Sequence, residues 1–318
     1  MQAVLRHVHR LWGPWWLLPA LPLLYAVVML LIGDLRPEHA VIGLLCTIFA
    51  FATTRTKQFF VDVSPYLIVA FGYDLVRYAR RVVLTPERVL GCELRDAELA
   101  LFSVGPGTTP QDWFASHHWP VVDLICAVPY TVFVYVAFIY AAYLYFADRP
   151  RMRRYLWSFA IANYISFTLW LIVPAAPPWY IRANGCAIDL SAAPSAAALL
   201  RVDQLFGIHY FETFYSRAAS VFGAMPSMHC AYPLIGLLTA WRVATWRTRP
   251  VHVIYTLVMF AAAVYLDHHW ILDALAGWAV ALVAVFLATR LTSRQAVVAP
   301  AGPSADPSST ALLRSEAQ

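Results

Sequence analysis

Two short stretches hold the residues best suited to chemistry. The first is Gly223-Ala224-Met225-Pro226-Ser227-Met228-His229, and the second is Asp267-His268-His269-Trp270-Ile271-Leu272-Asp273. His269 and Asp273 are four residues apart, a spacing that places both on one face of a helix. A carboxylate there accepts the proton of one imidazole nitrogen, fixes the tautomer and frees the other nitrogen as a nucleophile. His229 can then protonate a leaving oxygen and later activate an acceptor. Pro226 suits the first turn of a helix whose free N–H groups would favour a phosphate. Together these residues form a phosphoryl-transfer set working through a phosphohistidine. A zinc site built from His229, His268, His269 and Asp273 is the rival reading. It is disfavoured because His268 and His269 are adjacent and diverge on a helix, and because neither HExxH nor a Cys/His pair is present. We therefore expect no metal and no other cofactor.

The elements that must position these groups are apolar. The chain of 318 residues is 61% hydrophobic and 13% charged, against about 25% charged in a typical soluble domain. Mean hydropathy is +0.61. A soluble fold of this size could not cover so much apolar surface. Stretches near 14–33, 121–146, 155–173, 251–267 and 270–290 approach the roughly 20 residues that span a bilayer. The stretch 228–245 is nearly as clear. The stretch 39–53 is short, and 59–80 carries Asp62, Asp74 and Arg77, so it spans, re-enters or lies in the interface. The expected fold is an all-α transmembrane bundle of six to eight spans. Residues 1–58 form an N-terminal membrane region, with an uncleaved first span rather than a signal peptide. Residues 59–294 form the phosphoryl-transfer domain, and 295–318 form a disordered cytoplasmic tail. A short amphipathic helix is expected at Glu93–Phe102.

Basic loops set the orientation. Arg149, Arg151, Arg153 and Arg154 form one, Arg242, Arg247 and Arg249 another, and Arg290 and Arg294 follow the last span. Placing these in the cytoplasm puts 174–227 and the junction at 267–270 on the opposite side, so both histidine stretches meet at one membrane face. Eight spans would also leave Arg77, Arg80 and Arg81 on that outer face, where basic clusters are unusual. The net charge of +5 is spread over short loops, which argues against nucleic acid. A single lysine, Lys57, among 23 basic residues points to a GC-rich bacterial genome, hence to a bacterial plasma membrane. Cys46, Cys92, Cys126, Cys186 and Cys230 show no paired spacing, and no disulfide is expected.

These motifs resemble a known family. Pro226-Ser227-x-His229 and His269-x-x-x-Asp273 are similar to the second and third signatures of the type 2 phosphatidic acid phosphatase superfamily. Three longer strings resemble its inositol phosphorylceramide synthase branch. They are Phe222-Gly223-Ala224-Met225-Pro226-Ser227-Met228-His229, Tyr265-Leu266-x-His268-His269-Trp270-x-x-Asp273 and Pro177-Pro178-Trp179-Tyr180. The resemblance covers residues 60–290. It implies His269 as nucleophile, Asp273 as its partner, His229 as acid and base, no metal, and a site facing the lumen or cell exterior. Two departures stand out. Ala262 and Ala263 replace the Ser-Arg that superfamily phosphatases carry before the nucleophile, and the lysine and Arg-Pro of the first signature are absent. A phosphate-binding cation must come from elsewhere, and Arg182 and Arg217 are the candidates, since an arginine fork grips phosphoryl oxygens in pairs. Ser227, Tyr180 and His268 complete the expected substrate contacts.

The expected activity is transfer of a phosphorylated head group, such as inositol phosphate, from a phospholipid to an alcohol or lipid acceptor. A lipid phosphatase using water would need the same histidines. The absent phosphatase arginines favour the transferase. A transporter or scaffold would distribute polar residues across the midplane, whereas here they cluster at one face.

Overall fold

Backbone inside a bilayer must satisfy its own hydrogen bonds, which leaves helices as the economical solution for apolar stretches of this length. A computed structural model of the protein describes residues 2–218 and 220–298. Helices dominate it, and among the described residues the extended backbone makes only isolated bridges. The first four helices are α1 (Gln2–Trp12), α2 (Leu21–Leu31), α3 (Pro37–Phe51) and α4 (Thr54–Val83). Two short helices follow, α5 (Cys92–Phe102) and α6 (Pro110–Ser116), then the long pair α7 (Pro120–Ala147) and α8 (Arg149–Ile172). Three short ones, α9 (Pro178–Asn184), α10 (Leu200–Phe206) and α11 (Tyr210–Tyr215), precede α12 (Met228–Ala240), α13 (Arg249–Tyr265) and α14 (Ile271–Val298).

Among the described residues, four helices are long and apolar enough to cross a membrane: α4, α7, α8 and α14 through Ser293. Shorter apolar helices α3, α12 and α13 pack among them. The stretch 59–80, ambiguous in sequence, lies within the 30-residue α4, and its two carboxylates are taken up by partners. Asp62 accepts from Arg153 Nε at 2.8 Å, and Asp74 contacts Tyr25, Arg36 and His39.

The expected continuous span at 14–33 is not observed. The chain bends by 105° between Trp15 and Leu18, and α2 has 11 residues. Gly13 at φ 56° and the prolines at 14, 19 and 22 supply the reason, because each interrupts helical hydrogen bonding. Near α1, the Trp12 ring packs against Phe51 and Phe60, at the end of the bundle where α3 stops and α4 starts. Helix α14 continues to Val298, and the remainder of the tail lies outside the described residues.

At the opposite end, the segments 84–119, 173–218, 220–227 and 266–270 fold over the bundle. Parallel bridges join Leu90 to Ala175 and Ala175 to Gly223. Four backbone bonds of 2.8–3.2 Å, from Leu90 N, Ala176 N, Ala175 N and Ala224 N, tie the three stretches together. A disulfide between Cys92 and Cys186 staples α5 to the loop after α9. This corrects the expectation of no disulfide. The partners are 94 residues apart, so only the folding of the two segments over one site brings them together. Cys46, Cys126 and Cys230 are free and buried.

Candidate active site

The two histidine stretches meet because α12 and α14 pack at very close range. A Cβ on Gly277 would lie 2.2 Å from the Ser227 carbonyl oxygen, so only glycine permits this approach. The Ser227 N–H donates to the Asp273 carbonyl at 2.9 Å. Helix α12 starts at Met228, two residues later than Pro226 suggested. Met225-Pro226 is cis, and Ser227 is the N-cap, its buried hydroxyl accepting from Cys230 N at 3.4 Å. The serine expected to touch substrate is thus engaged as a helix cap.

His229 Nδ1 lies 3.1 Å from His269 Nε2. His269 Nδ1 lies 3.5 Å from Asp273 Oδ2, at the outer limit of hydrogen bonding. His269 precedes α14 rather than sitting on it, so the pair forms across the helix start instead of along one face. Asp273 is fully buried, and its Oδ2 also accepts from Trp270 N at 2.9 Å, as an acidic residue in the first turn does when it caps its own helix. Among the described residues, His269 Nδ1 and Asp273 Oδ1 have no closer partner. The contact has room to tighten when the imidazole gains charge.

Aromatic rings wall the pair. Tyr130 stacks on His229 with centroids 4.4 Å apart, and Phe133 approaches the same ring at 4.4 Å. The Tyr215 hydroxyl is 3.4 Å from His229 Nε2. His268 lies between Tyr130 and Tyr215 with its Nε2 3.1 Å from the Ala196 carbonyl. Burial and the neighbouring His269 push its imidazole down to about 3, so it remains neutral near neutral pH. His268 therefore belongs to the wall. No three His, Cys, Asp or Glu side chains among the described residues converge as a metal-ligand set.

The segment that carries His269 is held from both sides. Before it, Asp267, at φ 66°, takes a paired contact from Arg182, whose Nη2 reaches Oδ1 at 2.8 Å. Burial pushes the Asp267 carboxyl up to about 6 despite that partner. Arg182 Nε also reaches Asp112 Oδ1 at 3.3 Å, so this guanidinium is divided between two carboxylates. After His269, Glu98 of α5 caps α14: its Oε1 accepts from Ile271 N at 2.7 Å and Gln111 Nε2 at 2.9 Å, and its Oε2 from Leu272 N at 3.3 Å. Gln111 Nε2 also reaches the His269 carbonyl at 3.2 Å. Glu98 is fully buried, and burial raises its pKa even though all three partners donate to it.

Glu98, Gln111, Tyr130 and Tyr215 escaped the sequence reading. Each sits in a stretch without a motif, and only contact with the histidine segment marks it. Tyr180 is fully buried in the cap, its hydroxyl bonded to Ala187 O and Asp189 N, so it shapes the lid rather than facing the histidines. Arg217 is exposed, two residues after Tyr215.

Comparison with known proteins places this geometry in context. The PAP2 superfamily model matches residues 95–287. Over 254 residues the chain is 34% identical to a phosphoinositol dihydroceramide synthase of Bacteroides thetaiotaomicron, covering 78% of this chain and 83% of that protein. It is 29% identical over 161 residues to an inositol phosphorylceramide synthase of Candida albicans, covering 49% and 34%. It is 28% identical over 174 residues to an inositol phosphorylceramide synthase catalytic subunit of Schizosaccharomyces pombe, covering 54% and 41%. The chain thus spans most of the bacterial relative and less than half of either fungal one. No solved structure matches it.

Proposed function

The chain belongs to the PAP2 superfamily, and from that premise we propose that this integral membrane lipid phosphotransferase moves phosphoinositol from an inositol phospholipid to the hydroxyl of a ceramide-like acceptor. The observation that carries the reading is the 3.1 Å approach of His229 Nδ1 to His269 Nε2, with Asp273 behind the second ring. The incoming phosphoryl group must part this contact.

His269 Nε2 attacks phosphorus, and the P–O bond to the diacylglycerol oxygen breaks. His229 gives its proton to that oxygen, leaving a phosphohistidine whose positive ring faces Asp273. His229, now neutral, takes the proton of the acceptor hydroxyl as its oxygen attacks phosphorus. The N–P bond then breaks and His269 is regenerated. The wall of Tyr130, Phe133, Tyr215 and neutral His268 favours a lipid alcohol over water as acceptor, because apolar surroundings exclude water from the intermediate.

We place the site on the non-cytoplasmic face. The arginines of the 149–154, 242–249 and 290–294 groups lie away from the capped end, and the Cys92–Cys186 disulfide, at the capped end, belongs in an oxidising compartment. For the phosphoryl cation, Arg217 fits better than Arg182, since Arg182 already holds Asp112 and Asp267.

The test is an assay of purified protein with labelled inositol phospholipid, with and without a ceramide, and with and without chelator. Label should pass to the ceramide in every arm that contains it. Release of free inositol phosphate at the same rate without acceptor would instead make water the acceptor. Loss of turnover with chelator, restored by zinc or magnesium, would return the metal reading.

A further inference from the structure

Arg77, Arg80 and Arg81 close α4 at the capped end, against the rule that gathers basic residues at the opposite face. They precede residue 95, where the superfamily match begins, and nothing in the chemistry above uses them. Most other cations at this end are committed. Arg36 holds Asp74 and Glu38, Arg95 and Arg182 share Asp112, and Arg201 holds Asp123. Arg88 donates to the carbonyls of Val83, Leu171 and Ile172. Arg80 and Arg217 are different. Neither guanidinium has an ion pair or hydrogen bond among the described residues, and the Nε of Arg80 is buried without a partner.

Arg77 joins the two. Its Nη2 donates to the Arg217 carbonyl at 3.1 Å, and its Nε lies 3.8 Å from Asp74. That aspartate is already shared by Tyr25, Arg36 and His39, so positive charge is in surplus here. The cluster adjoins the histidines. Arg77 and Arg80 are three apart on α4, so they share a helix face. Tyr215 touches His229, and Arg217 follows Tyr215 by two residues. A buried, unpartnered N–H is costly, and adjacent arginines repel. One bound anion relieves both penalties, and the guanidinium fork matches paired phosphate oxygens.

We propose that Arg77, Arg80 and Arg217 form an anion site that receives the phosphodiester head group of the donor lipid, in place of the basic residues that the phosphatase signatures carry elsewhere. The assignment of the anion to the donor rests on the phosphotransferase reading. The site itself does not, since it predicts binding even where no turnover occurs.

The experiment reconstitutes the full chain in phosphatidylcholine nanodiscs. It measures binding of fluorescent phosphatidylinositol and, separately, of fluorescent phosphatidylcholine, together with kcat and KM for the inositol lipid. Wild type should prefer the anionic lipid. Arg80→Ala and Arg217→Ala should each weaken that binding by roughly 10- to 100-fold, the range of lost charge-assisted hydrogen bonds, and should raise KM. Arg80→Lys should recover part of the loss, which a folding defect would not do. Phosphatidylcholine binding should not change. Retained anionic preference in both alanine variants, or equal loss for both lipids, overturns the site. Complete displacement of the lipid by inorganic phosphate would reassign the ligand to free phosphate and overturn the lipid assignment. Charge-selective binding without transfer in wild type would instead sink the proposed function and leave the site standing.

Discussion

At the scale of single residues, the proposed chemistry divides among three side chains, and each role has its own kinetic signature. His269→Ala removes the attacking nitrogen, so turnover and acid-quench trapping of labelled enzyme should both vanish. His229→Ala removes the proton donor. With a well-activated leaving group, such as a nitrophenyl ester, the phosphoenzyme should still form, then accumulate for want of acceptor activation. Asp273→Asn keeps the bond from Trp270 N but no longer stabilises a positive His269, and should reduce turnover by roughly 10²-fold or more. Label trapped on the His269 variant but absent from the His229 variant would exchange the two roles. The distances suit this division. The short contact joins the two imidazoles, and the looser one, at 3.5 Å, is the one that gains strength once His269 is charged.

At the scale of elements, the site is a junction between two helix starts. Helix α12 begins at His229's neighbour Met228, α14 begins two residues after His269, and Gly277 lets the second pass against the backbone of the first. Gly277→Ala places a methyl group against the Ser227 carbonyl, where neither side can yield without moving a helix. The variant should separate the imidazoles, with turnover falling at least tenfold, and should lower the melting temperature, since overpacking costs about 1–3 kcal/mol. Measured activity and melting point both equal to wild type would show that α12 and α14 are less tightly joined than the structure indicates. Around this junction, Arg182 and Glu98 hold the two flanks of the segment that carries His269, and the Cys92–Cys186 disulfide ties α5, which carries Glu98, to the loop that follows Arg182's helix.

At the scale of the whole molecule, the histidine pair and the basic loops that set the orientation lie at opposite ends of the bundle. The active site and its cap occupy one end, and the basic loops at 149–154 and 242–249 occupy the other. Cysteines introduced at two exposed positions, Ser216 and Arg247, report on this polarity. A membrane-impermeant maleimide should label Ser216→Cys on intact cells and Arg247→Cys only after permeabilisation. The reverse pattern would place the site in the cytoplasm, where the disulfide would not persist.

Hydropathy and the types and spacing of a few residues were enough to determine the membrane class, the all-helical fold, the two histidine stretches and their meeting at one end. These properties are local: an apolar run either reaches bilayer length or does not, and a helix that leaves one stretch and another that returns to the next bring the two to the same side. What decided the rest was contact between segments far apart in the chain. Glu98 carries no local mark of its role, because its partners Ile271 and Leu272 come 173 and 174 residues later. The disulfide links cysteines 94 residues apart, and Arg182 looked free in sequence until folding brought Asp112 and Asp267 to it. The break after Trp15 shows the converse, since apolar content alone hid the glycine and prolines that stop a continuous span. Composition selects the bilayer as solvent, but only tertiary packing assigns each buried charge a partner, and so fixes which arginines remain free to meet a phosphate.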